Sequence, residues 1–254
     1  MSIIAFVGLG AMGDPMARRL AQAGHQVRGI DASADVQTRW EHAHGRPEGD
    51  ADAILFCVTD EAASRRVVAE AVARAAPGTL LVDHTTTSAD WSREADALAR
   101  AAGLRWCDAP LSGGADGAAR GELVAMAGAH ADDLPDLRAL LAPVTREVVH
   151  LGPPGSGQLG KMANQLAIAG IAAGLAQVQS FGRAAGLDLA QVYQVLLQGT
   201  ARSVQLERLH AELAVRDAAS AFRWLDKDLA LCQQASSAPL PLVQLWQDLW
   251  EQSA

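Results

Sequence analysis

The sequence has little cysteine and no long apolar run, and its basic residues do not predominate. Cys57, Cys107 and Cys232 are far apart and form no CxxC pair, which argues against a disulfide framework and a zinc site, so we predict no metal. No uninterrupted apolar stretch of about 18 residues occurs, so we expect no membrane span. The formal net charge of −8 argues against binding to nucleic acid or to an anionic membrane.

What is present fits a globular protein of ordinary composition. The chain has 254 residues, of which 50% are hydrophobic and 20% charged. This length is typical of one large domain or two smaller ones. The first residues lack the basic region of a signal peptide, so we expect a cytoplasmic location.

Lysine is nearly missing, and this makes the two lysines of interest. Of 21 basic residues only Lys161 and Lys227 are lysine. A lysine amine can release its proton when its pKa is lowered, whereas an arginine guanidinium cannot near neutral pH. The two lysines are therefore candidates for proton transfer. Alternatively, a biased composition has left two lysines at positions without a role.

The amino-terminal part alternates short apolar runs with helical patterns. The runs that predict strands are 2–7, 26–30, 53–58, 79–82, 104–107, 123–127 and 147–150. The patterns that predict helices are 11–23, 61–75, 89–102 and 133–141. Between Asp31 and Ala53 there is room for one helix, with a tight crossover over 41–50. Such alternation is typical of βαβ units, so we predict an α/β Rossmann-type, doubly wound parallel sheet.

The alternation of strand and helix patterns ends at Leu151–Gly157, a segment rich in glycine and proline. No strand pattern follows it. One helix is predicted from Ser156 to about Gly186, and further helices near 188–198, 202–214, 221–234 and 242–250. The long helix is apolar nearly all round, so we expect it to be buried between domains or subunits, in a homodimer or homotetramer. We predict a dinucleotide-binding domain over 1–153 and an all-helical domain over 154–254.

The segment Gly8-Leu9-Gly10-Ala11-Met12-Gly13 is a GxGxxG that follows the first strand and opens the first helix. Its glycines would allow a tight turn, close approach of the backbone to a pyrophosphate, and close packing of helix on strand. The helix N-terminus would supply N–H groups to the phosphates. The alternative is a glycine-rich turn in an unrelated α/β fold.

Asp31 ends the second predicted strand. A carboxylate at this place can accept both ribose hydroxyls of NAD and repels a 2′-phosphate, and no arginine follows immediately to bind that phosphate. NAD is therefore predicted in preference to NADP. Asp31 could also cap the next helix, and the two roles are compatible.

Two later segments carry side chains suited to a small substrate. Ser112, Gly113 and Gly114 follow a predicted strand and can present a hydroxyl and backbone N–H groups to a small anion. Lys161 and Asn164 are three residues apart on the long predicted helix and so share one face. An amine and a carboxamide on one face can protonate and orient a single substrate oxygen. The alternatives are an ordinary glycine-rich loop and a solvated Lys–Asn pair.

These motifs together resemble the β-hydroxyacid dehydrogenase family, in particular its 3-hydroxyisobutyrate dehydrogenases and tartronate semialdehyde reductases. The matching segments, in chain order, are FVGLGAMGDPMARRL at 6–20, DHTT at 83–86, DAPLSGG at 108–114, GSGQLGKMANQ at 155–165 and KDL at 227–229. The resemblance spans nearly the whole chain.

The resemblance implies hydride transfer between a nicotinamide cofactor and a small β-hydroxy acid. It implies that Lys161 is the general acid/base, with Asn164 and Ser112 beside it in catalysis. The residues it assigns to the substrate are Ser112, Gly113, Gly114, Asn164 and Gln165. Those it assigns to the cofactor, besides the glycine loop and Asp31, are Val58, Thr59, Thr85, Thr86 and Lys227.

Two other functions stay open at this point. Imine reductases resemble this family, but they usually carry Asp or Tyr at the position of Lys161. A non-catalytic NAD(P)-binding scaffold protein is the other alternative, and such proteins tend to lose this lysine. We therefore predict an NAD-dependent oxidoreductase acting on a small carboxylate.

Overall fold

The computed structural model describes residues 1–213, 221–222 and 224–251. The strands are β1 (Ile3–Val7), β2 (Gln26–Ile30), β3 (Ala53–Phe56), β4 (Leu80–Asp83), β5 (Arg105–Asp108), β6 (Leu111–Ser112), β7 (Leu123–Ala129) and β8 (Thr145–Gly152). The helices between them are α1 (Gly13–Gln22), α2 (Ala34–His44), α3 (Glu61–Val72), α4 (Ala89–Ala101), α5 (Gly114–Arg120) and α6 (Leu134–Leu141). A 3₁₀ turn, Ala131–Asp133, precedes α6.

The eight strands form one sheet, in which parallel pairing predominates. The order is β2-β1-β3-β4-β5-β7-β6, and β8 also pairs with β7. The first five strands pair in parallel, β7 runs antiparallel to β5 and β6, and β8 is parallel to β7. In the register of β4 and β5, Asp83 lies opposite Asp108, so two carboxylates meet at the carboxyl edge of the sheet. The predicted fold class is confirmed.

Each face of the sheet has its own core, because successive side chains of a strand point to opposite faces. Leu80 and Val82 of β4 belong to the cluster that includes Phe6, Met16 and Leu20. Leu81, between them in sequence, belongs to the second cluster. That cluster also contains Phe56, Val68, Trp91, Ala95 and Trp106. Helices on both faces are what a doubly wound sheet requires.

The remaining described helices are α7 (Ser156–Ala184), α8 (Leu189–Gln198), α9 (Val204–Leu213), α10 (Leu225–Ala235) and α11 (Pro241–Glu251). From Met162 onward their apolar side chains form one cluster that includes Tyr193, Phe222 and Trp246. No strand occurs in this part of the chain within the described residues. Of the predicted helix positions, Ala214 and Arg223 lie outside them. Within the residues that the structure covers, no helix is both long and apolar enough to cross a membrane.

The chain divides into two compact units, Met1–Lys161 and Met162–Ala254. We call them the sheet unit and the helical unit. The division falls inside α7, whereas the sequence predicts a boundary between residues 153 and 154, ahead of that helix. The predicted boundary stays a prediction.

Three local expectations differ from the structure. The predicted crossover over 41–50 begins later, because α2 continues to His44 and the chain turns at Gly45, which has φ +79°. The DAPLSGG segment is not only a loop, since it contains β6 and the start of α5. The long helix is not buried all round in the single chain, since Phe181 is 69% exposed. Its burial in a homodimer or homotetramer stays a prediction.

Candidate active site

The glycine-rich loop joins β1 to α1, as predicted. Gly8 has φ +96°, and a Cβ atom there would collide with the carbonyl oxygen of Cys57; at Gly13 a Cβ atom would collide with the carbonyl oxygen of Gly8. Gly10 is different, because among the described residues no heavy atom beyond Gly10 and its two chain neighbours lies within 4 Å of the place its Cβ would take. The loop is therefore tightly folded at both ends and open in the middle, beside a helix N-terminus. This fits the approach of a pyrophosphate.

Asp31 places a negative charge directly against this loop. Its Oδ2 accepts a hydrogen bond from the N–H of Leu9 at 2.8 Å, and its Oδ1 accepts one from the N–H of Ser33 at 2.9 Å. The cap of α2 is Ser33, whose Oγ accepts from the N–H of Val36. The alternative of Asp31 as the helix cap is therefore wrong. Its carboxylate instead fixes the loop that would hold a dinucleotide.

The loops after β3 and β4 are held together by the side chain of Thr85. Its Oγ1 accepts from the N–H of Val58 at 3.2 Å, and its own N–H donates to Oδ1 of Asp83 at 2.8 Å. Ser64 donates to Oδ2 of Asp83 at 2.6 Å. Thr86 is half-buried and Thr59 donates to the Asp60 carboxylate. The predicted cofactor residues Val58 and Thr85 are thus in direct contact.

Burial perturbs the titratable groups of this region. Burial, with a smaller contribution from the charge of Asp108, raises the pKa of Asp83 to about 6 against the opposing hydrogen bonds from Ser64 and Thr85. Burial lowers the pKa of His84 to about 4, so the imidazole is neutral at pH 7. Its Nδ1 lies 2.7 Å from the carbonyl oxygen of Ala109, which makes Nδ1 the protonated nitrogen. His84 thus has a structural contact, as a loop histidine usually does.

Lys161 reaches the segment predicted to bind substrate. Its Nζ donates to the carbonyl oxygen of Leu111 at 2.9 Å, and Leu111 immediately precedes Ser112. Ser112 lies on β6 opposite Val124, and Gly113 makes the turn into α5 with φ +139°. Gly114 is exposed at the first position of α5. The structure therefore brings Lys161, Ser112 and Gly113 to one place in the sheet unit.

Asn164, Gln165 and Lys227 belong to the helical unit. Nδ2 of Asn164 donates to Oε1 of Gln165 at 2.8 Å, and Nε2 of Gln165 donates to Oδ2 of Asp228 at 2.6 Å. An ionised carboxylate can only accept, so Asp228 sets the direction of both amides. Lys227 is exposed. Within this unit the two predicted amide residues are joined to an aspartate that no site prediction included.

Asp108 and Gln158 are the residues that sequence reasoning missed in the sheet unit. Asp108 is fully buried, and its carboxylate accepts from the N–H groups of Gly155 at 2.7 Å and Gln158 at 2.9 Å. Burial raises its pKa. A Cβ atom at Gly157 would collide with the carbonyl oxygen of Met126 and crowd the Asp108 carboxylate. The glycines at the start of α7, Gly155 just before it and Gly157 in its first turn, are a sequence signal of this close approach.

Comparison with known proteins identifies the family. Residues 3–152 match the model of the NAD binding domain of 6-phosphogluconate dehydrogenase, and residues 155–254 match that of the NAD-binding region of NADP-dependent 3-hydroxyisobutyrate dehydrogenase. A probable 3-hydroxyisobutyrate dehydrogenase of Mycobacterium bovis is 35% identical over 79% of this chain and 70% of its own length. The chain belongs to the β-hydroxyacid dehydrogenase family.

Two further similarities support this placement. An NAD-dependent L-serine dehydrogenase of Pseudomonas aeruginosa is 32% identical over 94% of this chain and 86% of its own. The structure of Mycobacterium tuberculosis 3-hydroxyisobutyrate dehydrogenase with L-serine has 30% identity and a TM-score of 0.84, covering 100% of this chain and 94% of that chain. A β-hydroxyacid dehydrogenase is an oxidoreductase with a nicotinamide cofactor, and the open glycine loop and Asp31 fit one. Among the described residues, no cluster of three or more His, Cys, Asp or Glu could hold a metal ion.

Proposed function

We propose that this protein is an NAD-dependent oxidoreductase that transfers a hydride between nicotinamide and a small β-hydroxy acid. The expected substrates are of the 3-hydroxyisobutyrate or tartronate semialdehyde type. The observation that carries the proposal is the ammonium group of Lys161, held 2.9 Å from the carbonyl oxygen of Leu111 beside Ser112. The names of the relatives support it, since they include an L-serine dehydrogenase and 3-hydroxyisobutyrate dehydrogenases.

The cofactor, when bound, supplies or accepts the hydride. The residues that would hold it are the glycine loop with Asp31, together with Val58, Thr59, Thr85, Thr86 and Lys227. The Asp31 carboxylate supports a preference for NAD, because a 2′-phosphate near it would meet a like charge. We therefore propose NAD as the physiological cofactor.

The protein's own chemistry is the transfer of one proton. In oxidation the C–H electron pair leaves the substrate as hydride, and the neutral amine of Lys161 takes the hydroxyl proton. In reduction the Lys161 ammonium gives that proton to the carbonyl oxygen. The Ser112 hydroxyl and the N–H of Gly113 would hold the carboxylate, with Gly114 at the same turn. Asn164 and Gln165 would orient the hydroxyl.

The decisive experiment compares wild type with Lys161→Ala and Lys161→Arg. The activity measured is NADH formation at 340 nm with L-serine, 3-hydroxyisobutyrate and glycerate. Both variants should lower kcat by roughly 10²–10⁴, the usual size of a general acid–base contribution. Lys161→Arg is the matched control for charge, because it keeps the positive charge but cannot release a proton.

Each outcome has a clear meaning. Wild-type kcat in Lys161→Arg would show that charge alone matters and would contradict the proton role. Tight NADH binding without turnover on any hydroxy acid would favour the non-catalytic binding protein. Turnover with cyclic imines but not with hydroxy acids would favour the imine reductase.

A further inference from the structure

Gln158 lies in the first turn of α7, and both its side-chain nitrogen and its side-chain oxygen are hydrogen-bonded to one neighbouring loop. Nε2 donates to the carbonyl oxygen of Thr85 at 2.8 Å, and Oε1 accepts from the N–H of Thr87 at 3.0 Å. The side chain is 0% exposed. A backbone carbonyl only accepts and a backbone N–H only donates, so these partners fix the orientation of the amide. The side-chain amide thus makes the pair of main-chain hydrogen bonds that a neighbouring β-strand would make.

The main chain of Gln158 is held as well. Its N–H donates to Oδ2 of Asp108, which also accepts from Gly155. Lys161 lies three residues further along the same helix, which places it one turn away on the same side. A displacement of Gln158 would therefore move the backbone that carries Lys161.

The loop at the other end of this contact is the one assigned to the cofactor. Thr85 binds the N–H of Val58 through its Oγ1 and the Asp83 carboxylate through its own N–H. Val58, Thr85 and Thr86 are all predicted cofactor residues. One buried amide thus connects the loop expected to contact nicotinamide dinucleotide with the helical turn expected to supply the proton.

We propose that Gln158 is a positioning residue that couples cofactor binding on the Thr85–Thr87 loop to the placement of the Lys161 ammonium. The proposal rests on the proposed function for the role of Lys161. A coupling of this kind is reciprocal: if bound cofactor orders the start of α7, the ordered helix also favours the cofactor. Gln158 itself touches neither substrate nor cofactor in this scheme.

The first test is Gln158→Met, which keeps the length of the side chain and removes both hydrogen bonds. The matched control is Gln179→Met, because Gln179 is a buried glutamine of the same helix that donates to the carbonyl oxygen of Leu213. A misplacement of about 1 Å can cost about 10²-fold in rate. We expect kcat to fall roughly 10- to 100-fold in Gln158→Met and to stay within about twofold in Gln179→Met.

The second readout is hydrogen exchange with and without NADH, which needs no turnover. In wild type, NADH should slow amide exchange at residues 8–13, at 83–87 and also at 155–162. In Gln158→Met the slowing at 155–162 should disappear while that at 8–13 remains. Retained slowing at 155–162 together with wild-type kcat would overturn the proposal. A wild type that binds NADH but turns over nothing would refute the proposed function, and the exchange experiment would still decide the coupling.

The third variant, Gln158→Glu, separates positioning from simple loss of stability. An ionised carboxylate cannot donate to the Thr85 carbonyl, whereas a protonated carboxyl group offers one donor and one acceptor, as the amide does. The titratable groups on the neighbouring elements are Asp83, His84 and Asp108, and they titrate in wild type too. The ratio of Gln158→Glu to wild-type kcat should therefore rise severalfold between pH 8 and pH 5.5. A ratio that does not change with pH would contradict the proposal.

Discussion

The two units fix their candidate site residues with the same type of side chain but with different partners. In the sheet unit, Asp83 and Asp108 end β4 and β5 and Asp31 directly follows β2, and each of the three accepts hydrogen bonds from main-chain N–H groups. In the helical unit, Asp228 accepts from the side chain of Gln165. A main-chain donor is present whatever residue occupies the position, whereas a side-chain donor is lost on substitution.

This difference predicts where each unit tolerates change. In the sheet unit the aspartates must be kept, whereas Leu9 and Gln158 donate to them through the main chain, so these two hydrogen bonds do not depend on the donor's side chain. In the helical unit both members of a contact must be kept, because an unpaired buried amide or carboxylate carries its desolvation cost. The same rule applies to the buried indole of Trp246, whose N–H donates to the exposed carboxylate of Asp226 at 2.8 Å.

The largest effect should come from Asp108→Ala. The change leaves the N–H groups of Gly155 and Gln158 without their acceptor in a buried place. An unsatisfied buried group costs about 1–3 kcal/mol, so the unfolding free energy in urea should fall by about 3 kcal/mol. Asp108→Asn keeps one acceptor oxygen and should lose less.

The control for this variant is Asp90→Ala, since Asp90 is exposed and pairs with Arg93 on the surface. Its removal should cost about 0.5 kcal/mol. Equal losses for Asp108→Ala and Asp90→Ala would mean that main-chain anchoring by Asp108 does not stabilise the sheet unit.

Asp228→Asn tests the side-chain anchoring of the helical unit. In Asp228→Asn the side chain offers a donor as well as an acceptor, so it no longer fixes the direction of the Gln165 and Asn164 amides, and the hydrogen bond that it can still accept is about 1 kcal/mol weaker than one to a charged acceptor. We expect kcat/KM for the hydroxy acid to fall roughly tenfold, with the Kd for NADH unchanged. Steady-state kinetics and NADH fluorescence titration measure the two quantities.

The matched control is Asp226→Asn on the same helix. Its acceptor oxygen can still serve the Trp246 indole, and it has no contact with the amide pair. Its kcat/KM should equal that of wild type. If Asp226→Asn and Asp228→Asn lower kcat/KM alike, the effect comes from the helix as a whole and not from the direction of the amides.

Asp31→Ala should change cofactor preference, and it should also loosen the glycine loop because the N–H groups of Leu9 and Ser33 lose their acceptor. Without the carboxylate, the 2′-phosphate of NADP no longer meets a like charge, and the ribose of NAD loses an acceptor. The ratio of kcat/KM with NAD to that with NADP should fall roughly tenfold. Ser33→Ala is the control, because it removes the cap of α2 without a change in charge. An unchanged ratio in Asp31→Ala would contradict the predicted preference for NAD.

The smallest effect concerns the pH dependence of stability near the β4 loop. The pKa of His84 is lowered from 6.5 to about 4, so its contribution to stability is full above pH 6.5 and is lost as pH falls towards 4. The pKa of Asp83 is raised from 3.8 to about 6, so its contribution is full below pH 3.8 and is lost as pH rises through 6. Between pH 4 and 6 the two contributions oppose each other.

A variant that removes one of the two titratable groups should show the pH dependence of stability that the remaining group causes. On acidification from pH 7 to 4.5, the Tm of His84→Asn should fall less than that of wild type. The difference should be about 2–4 °C for each kcal/mol that His84 contributes to the unfolding free energy. Asp83→Asn should show the opposite change. Thermal unfolding by circular dichroism at four pH values measures both, and parallel curves for all three proteins would rule out titration of either group.

Much of the fold could be predicted because its signals are local. Alternating apolar runs located the five parallel strands to within one or two residues, and the breaker at 151–157 marked the start of α7. Strand β6 was missed because two residues carry no pattern of their own and pair only through β7. The late end of α2 was missed because the crossover is fixed by a distant side chain, the guanidinium of Arg28, which donates to the carbonyl oxygens of Pro47 and Gly49.

The candidate site was predictable where the chemistry itself requires a residue type. Glycines for a pyrophosphate, a carboxylate after β2 and a lysine for a proton all have a stated reason. Asp108 and Gln158 have no such signal, because each contacts main-chain atoms 47 to 73 positions away in sequence. Only the folded chain shows that a carboxylate and an amide hold the start of α7 in the sheet unit.

The scarcity of lysine also gives the protein a convenient chemical probe. A reagent that acylates primary amines has only Lys161, Lys227 and the amino terminus to modify in this sequence. Lys227 is exposed, while Lys161 is half-buried and bonded to the Leu111 carbonyl. Intact-mass spectrometry should therefore resolve two fast adducts, at Lys227 and the amino terminus, and one slow adduct at Lys161, and the slow one reports directly on the microenvironment of a single side chain.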